Sequence, residues 1–300
     1  MLKRTLFFST GGKLFIKDSL LWYESNDSAV GKHSFSIEDI GFIVVESQQM
    51  LITSYTLNAL VENNVAIIIC DSSHMPSGQM MPYSANSLCA AVVSAQLSAS
   101  EALHGRLWKQ TIQAKLKNQS ECLKRLNFEY ETVSVLSCKV KNEDVGNKEA
   151  VGARFYFKQL GIMEDFSRDR YGIPPNNALN YGYAVLRAAT ARAIVGSGML
   201  CIHGIHHCNQ YNAFALADDI MEPYRPFIDE IVFDERDFFS IEELKRDHKA
   251  KLLQVLTRDV IIAGERRPLA NALSYTTASL AKCFLKEEKE IAYPEFPDVG

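Results

Sequence analysis

Two hydrophobic periodicities divide this chain. Over residues 1–90, short apolar runs follow one another closely: Thr5 to Ser9, Lys13 to Lys17, Leu20 to Tyr23, Ser34 to Ile37 and Ile40 to Val45. Gly11-Gly12, Asn26-Asp27 and Gly31 punctuate them. Short strands between turn residues predict a small sandwich or meander. Thr53 to Glu62 reads as one helix among them, ended by Asn63-Asn64 before a strand from Val65 to Cys70. Asp71 to Ser84 is rich in Pro, Gly and Ser, which predicts a loop or hairpin leading to a linker.

From about Leu88 the period becomes helical. Leu97, Leu103, Leu107, Trp108, Ile112, Ala114 and Leu116 carry one long amphipathic pattern. Further helices are expected at Asn147 to Leu160, Asn177 to Val195, Ala213 to Met221, Ile241 to Leu256 and Leu269 to Leu285. The expected class is α+β, with a β-sandwich-like domain over residues 1–90 and a mostly α-helical domain over residues 91–300. No internal repeat or low-complexity tract is visible.

Composition narrows the classes. A 300-residue chain with 47% hydrophobic residues can bury a real core, and 23% charged is ordinary for a soluble protein. The net charge of −4 argues against a cationic coat, so any DNA or RNA contact needs a local patch. Leu6-Phe7-Phe8 is too short for an export signal, and Lys13 and Lys17 follow soon after. No apolar run approaches membrane-spanning length. Seven cysteines, an odd number without a C-x-x-C pair, predict reduced, mostly buried thiols in a cytoplasmic protein.

Candidate chemistry lies in the helical half. Asn147 can cap a helix that carries Glu149 in its first turn, with Gly152, Ala153 and Tyr156 on the same face. These small neighbours leave room for an ion or a phosphate. By itself, an acid there only complements the helix dipole. Asp219 and Glu222 share a helix face, and Asp218 lies four residues before Glu222. Phe214, Ala217 and Met221 form the opposing apolar stripe, and Pro223 kinks or ends the helix. A solvated acidic face is the usual fate of such pairs, but the surroundings are apolar and small. His207 precedes this helix. One histidine and several carboxylates make an oxygen-rich site for a divalent metal, suited to phosphodiester chemistry.

Two other readings concern the same segment. Cys201, His203, His206, His207 and Cys208 suggest zinc, but a second ligand pair is lacking. Alternatively the acids are structural and the chain is a non-catalytic DNA-binding scaffold. Basic residues cluster from Lys245 through Arg246 and Lys249 to Lys251, as solvated surface or as a phosphate grip. Arg154, Arg187, Arg192 and Arg225 flank or share the candidate helices.

The motifs carry a resemblance. The stretch Asn147-Lys148-Glu149-Ala150, with Ala153-Arg154 and Tyr156-Phe157, resembles the first signature of the CRISPR-associated integrase family. Asn177, Leu179-Asn180-Tyr181-Gly182-Tyr183 and Leu186 resemble the next. His207, Asn209-Gln210-Tyr211-Asn212, Phe214 and Asp219-Ile220-Met221-Glu222-Pro223-Tyr224-Arg225-Pro226 resemble the third. The blocks stand in family order, and the likeness covers nearly the whole chain. Phe166-Ser167-Arg168-Asp169 and the Asn-Gln-Tyr-Asn segment look like the type II branch.

The resemblance implies a metal-dependent DNA endonuclease and integrase that inserts short foreign DNA into a CRISPR array by transesterification. It implies Glu149, His207 and Glu222 as catalytic metal ligands, Asp219 as a further acid near the metal, and Mg²⁺ or Mn²⁺ as the ion. The motif places its ligand directly before x-Asn-Gln, which selects His207 over His206. It implies a homodimer made by the N-terminal domain, and a small ferredoxin-like companion completing a heterohexamer on double-stranded DNA. Arg154, Arg225, Lys245, Arg246 and Lys249 are the expected DNA contacts.

Overall fold

The structure is a computed structural model that describes residues 4–82, 86–160, 168–169 and 172–298. The chain divides into two compact units, Met1–Ser84 and Ala85–Gly300. The division falls shortly before the expected residue 90, and the first helix of the second unit starts at Cys89.

The first unit contains β1 (Arg4–Phe8), β2 (Gly12–Lys17), β3 (Leu20–Ser25), β4 (Lys32–Ser36), β5 (Ile40–Val45), β6 (Met50–Ile52), α1 (Ser54–Glu62), β7 (Ala66–Cys70) and β8 (Pro76–Met80). One sheet runs β4-β3-β2-β6 and the other β1-β5-β7-β8. Period-two patterning explains the first sheet. Leu14 pairs with Tyr23 and both are buried, while their neighbours Lys13 and Glu24 pair and are exposed. One core cluster joins Leu14, Leu21 and Tyr23 to Phe8, Ile43 and Ile67 of the second sheet and Leu60 of α1. The sandwich-like expectation therefore stands, but it is not a simple meander. β1, β5 and β7 are mutually parallel. Their apolar continuity fits this, since β5 is buried along its whole length.

The second unit contains α2 (Cys89–Leu97), α3 (Glu101–Arg125), α4 (Glu131–Cys138), α5 (Lys148–Gln159), α6 (Asn176–Gly196), α7 (Ala215–Met221), α8 (Arg225–Asp234), α9 (Arg236–Phe239), α10 (Arg246–Leu253) and α11 (Leu269–Phe284). A hairpin of β9 (Asp259–Ile262) and β10 (Glu265–Pro268) precedes α11. The long pattern expected from Leu97 breaks at Ser98 to Ser100, because Ser100 caps α3 by accepting from Leu103 N–H at 3.3 Å. α3 is the spine, packing against α4, α5 and α8. α4, α8 and the hairpin were not expected from the sequence. The predicted helix over Ile241 to Leu256 is shorter, with α10 followed by the 3₁₀ turn Gln254–Thr257.

All seven cysteines are free, as expected, but only Cys70, Cys122 and Cys283 are buried, so the thiols are not mostly buried. No helix among the described residues is long and apolar enough to cross a membrane.

Candidate active site

Glu149 reaches the site because of how α5 begins. Asn147 makes no capping hydrogen bond; its backbone is left-handed, at φ 47°. Asp144 caps instead, accepting from the N–H groups of Lys148 and Glu149 at 2.8 Å each. Gly152 leaves room for a neighbouring helix rather than for a ligand. A Cβ there would meet Leu116 Cδ2 of α3 at 2.3 Å. The α5–α3 approach is therefore close, and Glu149 faces α3.

Glu222 is set by a turn. α7 ends at Met221, the 3₁₀ turn Glu222–Tyr224 follows, and α8 starts at once. Pro223 ends α7 but does not end helical structure, since Pro226 lies in the first turn of α8, where its missing N–H costs nothing. Asn118 of α3 clamps the turn by donating to Pro223 O at 2.7 Å and to Pro294 O at 2.9 Å.

Between these glutamates lies a residue that sequence reasoning missed. Lys115 Nζ donates to Glu149 Oε1 at 2.7 Å and approaches Glu222 Oε2 at 2.6 Å. Its side chain is only 10% exposed, so it is a buried charge held by two opposite ones. Removing one member of such a cluster leaves a buried charge uncompensated, at a cost of about 3–5 kcal/mol. The signal was present: Lys115 lies three residues after Ile112 and seven after Trp108, on the buried face of α3. A lysine whose ammonium is buried on such a face calls for an opposite charge beside it.

Arg225 Nε donates to the other Glu222 oxygen, Oε1, at 2.8 Å. The acid that binds Arg225 is thus Glu222. Burial alone would raise the Glu222 carboxyl, but Arg225 and Lys115 outweigh it and hold it near about 2. Burial would lower the Lys115 ammonium, and Glu222 with Glu149 reverses that. The Arg225 guanidinium lies 4.5 Å from the Tyr183 ring centre. Tyr183 and Tyr156 hydroxyls donate to Asp229 at 2.5 and 2.9 Å. Burial raises Asp229 to about 6, partly offset by those two tyrosines.

His207 comes from the loop before α7. Its Nδ1 bonds Asp219 Oδ1. Asp219 is fully buried, and its oxygens also accept from the backbone N–H groups of Ile205 at 2.6 Å, His206 at 2.9 Å and His207 at 3.3 Å. Gly204 permits this wrapping, because a Cβ there would lie 2.7 Å from Asp219 Oδ2. The bond to Asp219 raises the His207 imidazole, despite burial, and Glu222 and Glu149 add to the rise. His206 instead stacks on Trp108, ring centres 4.2 Å apart and 6° from parallel.

The remaining candidates separate. Asp218 does not join Glu222; it pairs with Arg187 at 2.7 Å and accepts from Asn212 at 2.7 Å. The zinc reading loses its geometry, since the side chains of the Cys/His segment take separate partners and, among the described residues, no three of them meet. His203 meets His104 edge-on, His206 lies on Trp108, and Cys201 Sγ faces Ala191 O, its thiol pushed up by burial to about 12. Arg154, Lys245 and Arg246 are exposed. Lys249 is buried, with its ammonium 5.8 Å from the Tyr181 ring centre, so it does not lie on the surface where a phosphate contact is made. Of the Phe166 to Asp169 stretch, Phe166 and Ser167 lie outside the described residues; Arg168 bonds Asn176 and Asn180 at 2.9 and 2.8 Å.

A helical unit that brings two glutamates together across one cation, with a carboxylate-held histidine beside them, is in class an acid-rich, histidine-containing site. The chain belongs to the CRISPR associated protein Cas1 family, whose profile matches residues 6–255. It is 36% identical over 228 residues to the CRISPR-associated endonuclease Cas1 of Neisseria meningitidis serogroup C (strain 8013), covering 75% of this chain and 73% of that protein. It is 24% identical over 287 residues to a CRISPR-associated endonuclease Cas1 of Pyrobaculum aerophilum, covering 91% and 96%. The fold is shared with a casposase solved bound to its integration product, at TM-score 0.77, 20% identity, and 97% and 92% coverage. It is shared too with a Cas1 protein of Thermotoga maritima, at TM-score 0.73, 15% identity, and 99% and 100% coverage. A Cas6-RT-Cas1–Cas2 complex contains a further match, at TM-score 0.71 and 17% identity, covering 96% of this chain and 35% of that one.

Proposed function

We propose that this chain is a metal-dependent DNA endonuclease and integrase of CRISPR adaptation, of the type II branch. The observation that supports it most is the meeting of Glu149 and Glu222 across the Lys115 ammonium, beside His207.

The donor set fits a hard divalent cation. Among the described residues, no three His, Cys, Asp or Glu side chains are already drawn together as a metal cluster. Yet the two carboxylates converge on a positive charge, and two carboxylates with one imidazole suit Mg²⁺ or Mn²⁺. Glu149, Glu222 and the Nε2 atom of His207 would hold it. Asp219, whose oxygens are engaged by His207 and the loop, supports a ligand rather than acting as one. Such an ion supplies Lewis-acid polarisation of the phosphoryl oxygen.

The chain's own residues do the rest. Asp219 fixes the His207 ring through Nδ1 and leaves Nε2 pointed away from that bond. Arg225 is fixed by Glu222 through Nε, so its terminal nitrogens remain the groups to grip a target phosphate. In the reaction, the 3′-hydroxyl of the foreign fragment loses its proton as its oxygen bonds the phosphorus of a repeat phosphodiester. The bond from that phosphorus to the repeat strand's 3′-oxygen breaks, and that oxygen takes up a proton. Arg154, Lys245 and Arg246 supply non-specific phosphate contacts.

Assembly is part of the proposal. The first unit would dimerise the chain; β6 is an edge strand, and Leu51 on it and Tyr55 on α1 are 70% and 68% exposed. A small ferredoxin-like companion would complete a heterohexamer on double-stranded DNA, in keeping with the Cas1–Cas2 complexes among the structural neighbours.

Nicking of supercoiled plasmid DNA tests the chemistry. Mg²⁺ or Mn²⁺ should restore activity after chelation. Glu149→Gln, His207→Ala and Glu222→Gln should each lower the rate at least about a hundredfold, roughly 3 kcal/mol of barrier. Restoration by Zn²⁺ alone, or near-normal rates in two of the three variants, would sink this assignment.

A further inference from the structure

Glu222 has no vacant oxygen. Lys115 lies on Oε2 at 2.6 Å and Arg225 on Oε1 at 2.8 Å, and the same Lys115 ammonium lies 2.7 Å from Glu149 Oε1. A cation held between the facing oxygens, Glu149 Oε1 and Glu222 Oε2, therefore takes the point that Lys115 already fills. A divalent ion binds carboxylate oxygens at about 2.0–2.6 Å, which leaves no room for an ammonium between the same two oxygens. Like charges at that distance would also repel.

We propose that Lys115 is a built-in counter-ion: its ammonium joins Glu149 to Glu222 in the metal-free protein and is displaced from between them when a divalent cation binds. This rests on the metal reading above and goes beyond it by naming what the ion must compete with.

Lys115, and not Arg225, is the group suited to leave. Only Lys115 bridges both carboxylates. It is a point charge on a flexible four-carbon stem, whereas Arg225 is a planar fork also lodged against the Tyr183 ring at 4.5 Å. The counter-ion has a clear task. Glu149 comes from α5 and Glu222 from the turn after α7; Glu222 is buried and Glu149 partly so. Without a cation the two carboxylates would repel, and one would take up a proton or the two helices would part. With Lys115 between them, the elements stay in register for the ion. The same device sets selectivity by charge. Na⁺ or K⁺ brings no more charge than the ammonium it would replace, whereas a divalent ion does.

Mn²⁺ binding to the full chain, read from the loss of the free-ion paramagnetic resonance signal at constant pH, tests this together with thermal melting in chelator and in Mn²⁺. Lys115→Met and Lys115→Gln should each bind Mn²⁺ at least about tenfold tighter, as expected when a competing state holding nine-tenths of the population is removed. Both should melt lower than the parent in chelator and gain more from Mn²⁺. Glu149→Gln should lose binding. Equal or weaker Mn²⁺ affinity in both Lys115 variants, with the parent binding and Glu149→Gln not, would overturn the counter-ion role and leave the metal site standing. Failure of the parent chain to bind Mn²⁺ would overturn both. If the Lys115 variants are unfolded in chelator, folding on addition of Mn²⁺ supports the proposal and absence of folding overturns it.

Discussion

Asp219 and His207 act as one unit: the fully buried carboxylate binds the histidine ring at Nδ1 and the backbone of the loop that carries it. The two substitutions at Asp219 should therefore differ. Asp219→Ala strips an acceptor from three backbone N–H groups and should destabilise the fold by about 3 kcal/mol or more. Asp219→Asn keeps one acceptor and should remain folded, but loses the charge that orients the ring. Its affinity for Mn²⁺ should fall about 10–100-fold. Isothermal titration with denaturant melts separates the two effects. An unchanged affinity in Asp219→Asn would show that the pair is only structural.

The adjacent histidines should separate in the same measurements. His206 lies flat on Trp108, so His206→Ala should cost about 1 kcal/mol of stability and leave metal binding near the parent value. His207→Ala should do the reverse. Loss of metal binding in His206→Ala with retention in His207→Ala would shift the ligand by one residue.

Most of this site could be read from the chain. Glu149, His207 and Glu222 stand in recognisable motifs, and two of their four supports do as well: Asp219 and Arg225 lie within the same block. What escaped was long-range. Lys115 stands visibly on the apolar stripe of α3, but its carboxylate partners come from α5 and the turn after α7, and Asp144 lies in a left-handed turn at φ 48° that no short pattern announces. Local chemistry also misled at Asn147, which has the right residue type for a cap but the wrong backbone. In the fold, the β-to-α switch was legible from periodicity alone. The β9–β10 hairpin was not, because its turn uses Ala263 and Gly264 at φ 50° and 77°, where Asn-Gly would be the readable signal. α8 was hidden by Pro223 and Pro226, which end helices in most settings but here lie in the turn and in the first turn of the next helix.

Arg225 joins Glu222 to the Tyr183 ring, and a lysine cannot copy both contacts. Arg225→Lys should depress strand transfer more than it weakens duplex binding, by about tenfold or more in rate against a few-fold in affinity. Gel-shift titration beside a single-turnover assay decides this. Equal losses in both, or no loss in either, would reduce Arg225 to a structural partner of Glu222.

Asp229 predicts a pH dependence of stability. Its carboxyl is raised to about 6 in the folded chain, above the ordinary carboxylate value, mainly by burial. The folded state thus binds a proton more tightly than the unfolded state. This stabilises the fold below about pH 4 and is lost as pH rises to about 6, a change of at most about 3 kcal/mol. Asp229→Asn cannot ionise, so the stability difference between variant and parent should move in the variant's favour across that window and level off above pH 7. Denaturant midpoints from pH 3.5 to 7.5 measure it. A difference independent of pH would contradict the raised carboxyl.

The proposed reaction joins DNA ends to a repeat through the site formed by Glu149, His207 and Glu222. The most direct measurement is covalent transfer of a short duplex with free 3′ ends into a supercoiled plasmid carrying the repeat, with the companion protein present. Joined product is expected with Mn²⁺ or Mg²⁺, none in chelator, and none from Glu149→Gln under any metal. Joined product in chelator, or undiminished product from Glu149→Gln, would contradict it.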